Sequence, residues 1–250
     1  MPGLAEKVRL VKSAITKNRP MYVQFAVSKN CDLKCRMCHA VESRKHEREL
    51  SVAEIQKLAD TLAELDIGVL VLTGGEPLLR KDLPQIIEAF TSRGINVRLQ
   101  TNATLATDRR VEALVAAGLK EVTISLDTLD PARQDDINNS EGSWMRIIRG
   151  ISVFSRQLPL KGNISGINIV VSKLNLKEIP ALIRFTTAIG FYASLIPVHV
   201  SDTGASGKAS NSVRSSSQRP ASRIGSIRGR SVPAASRFRL SVASIISSSS

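Results

Sequence analysis

Three cysteines, Cys31, Cys35 and Cys38, fall within eight residues and are the whole cysteine complement of this 250-residue chain. An odd, tightly clustered set argues against a disulfide framework and for a metal or cluster site. Thiolates select soft or borderline metals, zinc and iron–sulfur clusters above all. A structural zinc wants four protein ligands, and the only neighbouring candidate is His39, which follows Cys38 directly and would reach the same ion awkwardly. A cubane iron–sulfur cluster suits three cysteines better: three irons are tied to protein and the fourth stays open to a small molecule. Buried structural cysteines or a zinc knuckle are the alternative readings of the spacing.

The elements that must position this loop read clearly from periodicity. Leu4, Val8, Val11 and Ile15 predict an amphipathic helix ending before Pro20, and Tyr22 to Val27 a first strand that feeds the cysteine loop. Ser51 and Glu54 form a capping box for a helix to about Asp66, with Ile55, Leu58, Leu62 and Leu65 on one face. Val69 to Leu72 has the unbroken apolar character of a strand buried on both sides. A helix from Leu83, with Pro84 early and Gly94 as its stop, leads to a strand from Ile95 to Thr101. Asp108 to Ala117 is a helix closed by Gly118, and Val122 to Leu126 a strand. Trp144 to Phe154 marks a further helix and Ile164 to Val171 a strand. Asn175 and Glu178 are expected to cap a helix with Ile179, Leu182 and Ile183 inward, before a strand from Phe191 to Val198. Six strands alternating with helices predict an α/β protein, a partial (β/α)6 barrel of parallel strands with its functional loops at the strand C-termini.

Those strand ends carry a second set of chemically pointed residues. The second strand ends in Thr73-Gly74-Gly75-Glu76-Pro77, the third in Thr101-Asn102 and the fourth in Ser125-Leu126-Asp127. Glycines let a backbone carbonyl approach a ligand closely, Glu76 offers negative charge to an ammonium, and Pro77 fixes the turn. Short polar residues such as Asn102, Ser125 and Asp127 also simply satisfy turns.

Taken together, these motifs resemble the radical S-adenosylmethionine superfamily over about residues 20–200. The C-x3-C-x2-C spacing, with Leu33 two places after the first cysteine, is similar to the family's cluster loop, and Gly74–Pro77 resembles its GGEP motif. The resemblance implies that Cys31, Cys35 and Cys38 ligate a [4Fe–4S] cluster whose open iron binds S-adenosylmethionine. It implies that Gly74, Gly75 and Glu76 contact the methionine amino group, and that Asn102, Ser125 and Asp127 face the cofactor. Met37 stands where the family usually has an aromatic residue near the adenine, and its soft sulfur can pack there instead. The implied chemistry is one-electron cleavage of the sulfonium to methionine and a 5′-deoxyadenosyl radical, which abstracts hydrogen from a peptide or small-molecule substrate. An electron donor such as a flavodoxin or ferredoxin is implied with it. The runs Leu72–Leu83 and Ser125–Pro131 resemble the branch holding the molybdopterin-forming GTP cyclase and the SPASM-type peptide-modifying enzymes. Both usually carry later cysteines for an auxiliary cluster, and none follows Cys38 here.

Charge divides the chain. The net charge is +13, yet residues 201–250 alone hold 17 Ser, seven Arg, one Lys and one Asp. The sequence thus separates into an N-terminal helix (1–20), a core (21–200) and a low-complexity, disordered Ser/Arg-rich tail (201–250). The tail's composition changes abruptly where a helix should cover the sixth strand, as expected of an out-of-frame or truncated readout. Were it a nucleic-acid arm, the domain would be an RNA-directed enzyme, but Phe238 is the tail's only aromatic for base stacking, so a nucleic-acid partner is not expected. A non-catalytic zinc- or cluster-binding scaffold is a further alternative. No run of 18 apolar residues predicts a membrane span, and no signal sequence is evident at the N-terminus, so the expected location is cytoplasmic.

Overall fold

Parallel pairing in chain order organises the molecule. The computed structural model describes residues 20, 22–38, 48–159 and 164–198. The expected helix before Pro20, His39, and the Ser/Arg-rich segment with its arginines lie outside the described residues. Six strands, β1 (Tyr22–Ser28), β2 (Val69–Gly74), β3 (Asn96–Thr101), β4 (Glu121–Ser125), β5 (Gly166–Val171) and β6 (Tyr192–Pro197), form one sheet in the order 1-2-3-4-5-6. Every adjacent pair is parallel. That order, with a helix in every crossover, is what a partial barrel requires.

The helices are α1 (Val52–Glu64), α2 (Leu83–Thr91), α3 (Asp108–Ala116), α4 (Pro131–Asn138), α5 (Ser143–Gln157) and α6 (Ile179–Ala188). Helix α1 starts where the sequence signals it. Ser51 accepts from the Glu54 N–H while Glu54 reaches back to the Ser51 N–H, the reciprocal capping box. Helix α5 buries Ile147, Ile148, Ile151 and Phe154 on one face. Against such faces the sheet sets Leu70, Leu72, Leu99, Val122, Ile124 and Ile167, all fully buried.

The opposite face of the sheet is polar. Strand partners in register share a face. Gln24 pairs with Val71, Val71 with Arg98 and Arg98 with Glu121, while Gln100 lies beside Thr123, Ser125 beside Asn168 and Asn168 beside Ser194. Arg98 and Glu121 form a largely buried ion pair at 2.8 Å on this row. Cross-strand neighbours thus present an apolar row to the helices and a hydrogen-bonding row to the concave side, the arrangement a ligand-holding barrel needs.

Three expectations are corrected. Helix α4 was not anticipated, because Pro-Ala-Arg-Gln-Asp-Asp-Ile-Asn carries almost no apolar periodicity; its start is nevertheless marked by Asp130, which accepts from the Arg133 N–H, and by Pro131 in the first turn. Asn175 does not cap α6. A single 3-10 turn, Leu176–Glu178, intervenes, and the Asn175 amide instead donates to the carbonyls of Asp127 and Val170. Two residues expected inward point outward: Leu65, at the C-terminal end of α1, is 44% exposed, and Ile183 is 39% exposed, so α6 buries only Leu182 and Thr186.

Candidate functional site

The cysteine loop leaves β1 and is clamped from two sides. On one side lies the turn after β2, where the chains approach so closely that side chains are excluded. The Gly75 N–H donates to the Ser28 carbonyl and the Glu76 N–H to the Asn30 carbonyl, both at 2.7 Å. A Cβ on Gly74 would stand 2.2 Å from the Ser28 carbonyl oxygen, and one on Gly75 2.1 Å from that of Asn30. Gly74 also sits at φ +144°, a conformation L side chains rarely adopt. On the other side is the C-terminal turn of α4: the Lys34 and Arg36 N–H groups donate to the carbonyls of Asn138 and Ile137, and Arg36 pairs with Asp136. Leu33, 5% exposed, pins the loop into the core.

A cavity of about 440 Å3 opens between these clamps, a size suited to a small molecule. All three cysteines line it. So do Met37, Gly74, Gly75, Asn102, Ser125 and Asp127, which the sequence singled out. Glu76 and Pro77 do not. Glu76 is fully buried behind the wall, its Oε1 accepting from the Leu78 N–H (2.8 Å) and the Thr101 hydroxyl (2.6 Å) and its Oε2 from the Asn102 N–H (2.8 Å). The turn therefore meets the cavity through the Gly74 and Gly75 backbone, while the Glu76 carboxylate ties β2 to the end of β3. Burial pushes the Glu76 carboxyl up to about 7 despite those three donors.

The remaining residues differ in how free they are. The Asn102 amide donates to Asp32 at 2.9 Å, and Asn102 Oδ1 accepts from Thr104, so its side chain is committed to holding the loop. Asp127 is 7% exposed and one of its oxygens accepts from the Val170 N–H at 2.7 Å. Burial raises its carboxyl to about 6. The cavity also takes in Gln24 and Gln100, which sequence reading passed over although both alternate with apolar neighbours along their strands. Gln134 and Asn138, spaced one helical turn apart on α4, line it as well and went unseen with their helix.

The donor set can be tested for what it would hold. Burial, reinforced by the charges of Asp32, Glu76 and Cys38, pushes the Cys31 thiol up to about 11; burial, with Cys31, Cys38 and Asp127, pushes Cys35 up to about 12. Thiolates so placed need a cation to ionise against. Among the described residues no three of His, Cys, Asp and Glu gather closely enough to hold a single metal ion. Three sulfurs lining one cavity match the three-cysteine donor set of a cluster.

A family model for the radical SAM superfamily matches residues 25–186, from within β1 to within α6. The chain belongs to the radical SAM superfamily. Radical SAM proteins use a [4Fe–4S] cluster and S-adenosylmethionine, and the match takes in the cysteine loop, the Gly74–Pro77 turn and the ends of β3 and β4. Among curated relatives, an AdoMet-dependent heme synthase of Methanosarcina barkeri is 33% identical over 178 residues, 70% of this chain and 50% of that protein. A "Probable GTP 3′,8-cyclase" of Methanopyrus kandleri is 36% identical over 165 residues, 65% of this chain and 51% of the relative. The chain thus spans about half the length of these relatives. The crystal structure of Streptococcus suis SuiB bound to S-adenosylmethionine superposes with a TM-score of 0.65 at 20% identity, covering 79% of this chain and 45% of that one, a likeness of fold. No helix of the described residues is long and apolar enough to cross a membrane.

Proposed function

We propose that this chain is the core of a radical SAM enzyme, in which Cys31, Cys35 and Cys38 hold a [4Fe–4S] cluster and the adjoining cavity holds S-adenosylmethionine. Held there, the cluster would supply the one electron for reductive cleavage of S-adenosylmethionine, the chemistry that would start hydrogen-atom abstraction from substrate and yield methionine and 5′-deoxyadenosine. The observation that carries this reading is the convergence of one cavity on three cysteines, a backbone turn stripped of side chains and an underused buried carboxylate. The Gly74 and Gly75 backbone would receive the methionine amino group. Met37 would pack on the adenine. The Ser125 hydroxyl and the second oxygen of Asp127 would accept hydrogen bonds from the ribose or pair with the amino group, and Asn102 would steady the loop beside them. The polar inner face at Gln24 and Gln100 would orient the substrate, a small molecule or a peptide, and keep water from the radical. A low-potential donor of the flavodoxin or ferredoxin kind would deliver the electron.

Anaerobic reconstitution of the full chain with iron and sulfide tests the cluster directly. Close to four irons per chain and the broad visible absorption of an iron–sulfur protein are expected, and Cys31→Ala, Cys35→Ala and Cys38→Ala should each lose most of both. A colourless protein that retains one zinc per chain, unchanged by these substitutions, would overturn the assignment.

A further inference from the structure

The two inner cysteines meet different hydrogen-bonding environments. The Cys31 sulfur accepts from the Leu33 N–H at 3.4 Å and lies 3.9 Å from both the Asn102 amide and the Asp32 carboxylate. The Cys35 sulfur faces an acceptor, the side-chain carbonyl oxygen Oδ1 of Asn138, at 3.4 Å.

The orientation of that amide follows from the hydrogen-bond chain that contains it. Gln134 Oε1 accepts from two backbone N–H groups, those of Asp127 (2.9 Å) and Thr128 (3.1 Å), which have no alternative polarity. Its Nε2 must therefore donate, and does so to Asn138 Oδ1 at 3.2 Å. At the other end the Asp135 carboxylate can only accept, so the Ser143 hydroxyl donates to it at 2.9 Å and in turn accepts from Asn138 Nδ2 at 2.9 Å. Backbone amides at one end and a carboxylate at the other hold Asn138 with its oxygen toward Cys35. Flipping it would set two donors face to face at Gln134 and two acceptors at Ser143, in a site where both residues are almost fully buried.

We propose that Asn138 is a positioning residue that tunes the cluster's redox potential: its locked carbonyl dipole, which takes the Cys35 thiol's hydrogen bond here, would stand against the sulfur once it ligates iron and would disfavour added negative charge. Resting on the radical SAM reading above, this assigns the α4 network a task that neither the cysteine loop nor the Gly74–Pro77 turn performs. Hydrogen-bond donors to cluster sulfurs raise the potential, and an acceptor at the same distance does the reverse. A lower potential makes the reduced cluster a stronger donor toward a sulfonium.

The test is a potentiometric titration of the reconstituted full chain, followed by the electron paramagnetic resonance signal of the reduced cluster. Asn138→Leu removes the dipole at similar volume and should favour the reduced state about tenfold at a given potential, a positive shift of about 59 mV. Asn138→Asp keeps the shape and adds negative charge, so its shift should be negative. A purely structural role would move both variants the same way or neither. Shifts of equal sign, or none, at full iron content would overturn the proposal, and so would a failure of both variants to bind iron. A wild-type chain that binds no cluster would overturn the functional reading itself and this inference with it.

Discussion

Gly75→Ala is expected to destabilise the fold by about 3 kcal/mol and to lower iron incorporation severely. The added methyl would arrive 2.1 Å from the Asn30 carbonyl oxygen and 2.5 Å from its carbon. Both are backbone atoms one residue from Cys31, so no flexible side chain can swing aside. The β2 turn and the cysteine loop must separate, breaking the 2.7 Å hydrogen bonds from Gly75 and Glu76 that join them. Gly118→Ala is the control. It carries a positive φ, which Gly75 does not, and its methyl would crowd Thr91, but that turn lies at the far end of β4 from the cysteines. Chemical denaturation should find both variants destabilised, while iron analysis after reconstitution should separate them: Gly118→Ala loads normally and Gly75→Ala does not. Equal loading in the two would sever the link between the glycine turn and the cysteine loop.

Glu76→Gln is expected to cost about 1–3 kcal/mol, although it changes one atom at a residue behind the cavity wall. Both carboxylate oxygens accept: one from Leu78 and Thr101, the other from Asn102. A glutamine must turn its NH2 toward one of these donors, and a buried N–H loses its partner. Asn102 is the more exposed of these partners, and releasing it would loosen its amide from Asp32 beside Cys31. The pH dependence adds a second signature. Burial raises the Glu76 carboxyl from an ordinary value of 4.5 to about 7, so the folded state binds its proton more tightly than the unfolded chain. That contribution is fully present below about pH 4.5 and is lost as the pH rises through 7. Asp127, raised from 3.8 to about 6, acts with the same sign over a slightly lower window. Wild-type stability should therefore carry a downward component from pH 4.5 to 7 that Glu76→Gln flattens. A variant with the wild-type slope would contradict the assignment of that proton to Glu76.

How far the sequence reached can be seen in particular residues. The strands and the turns at Gly94 and Gly118 were legible because burial on one face leaves a period in the apolar residues, and because helix ends need special residues. The capping box at Ser51 and Glu54 was legible for the same reason. The cysteine loop and the glycine turn announced themselves by residue type. What spacing does not encode is which side of a wall a polar residue falls on. Glu76 reads as a ligand-facing charge, yet the turn rolls it inward to join β2 to β3. Asn175 reads as a cap, yet its amide bridges the backbone of Asp127 and Val170. Helix α4 was missed because it packs through polar residues: Gln134 and Asn138 are as buried as a core leucine, held there by partners far away in sequence or across a turn. Those two residues orient the surroundings of Cys35, so the least legible segment carries the finest control of the site.

Cleavage of S-adenosylmethionine itself is the most direct measurement of the central claim. The reconstituted full chain, incubated anaerobically with dithionite and S-adenosylmethionine, should form 5′-deoxyadenosine and methionine in equal amounts, with neither product above background in Cys35→Ala. A fully loaded cluster that leaves S-adenosylmethionine intact under reductant would contradict the account.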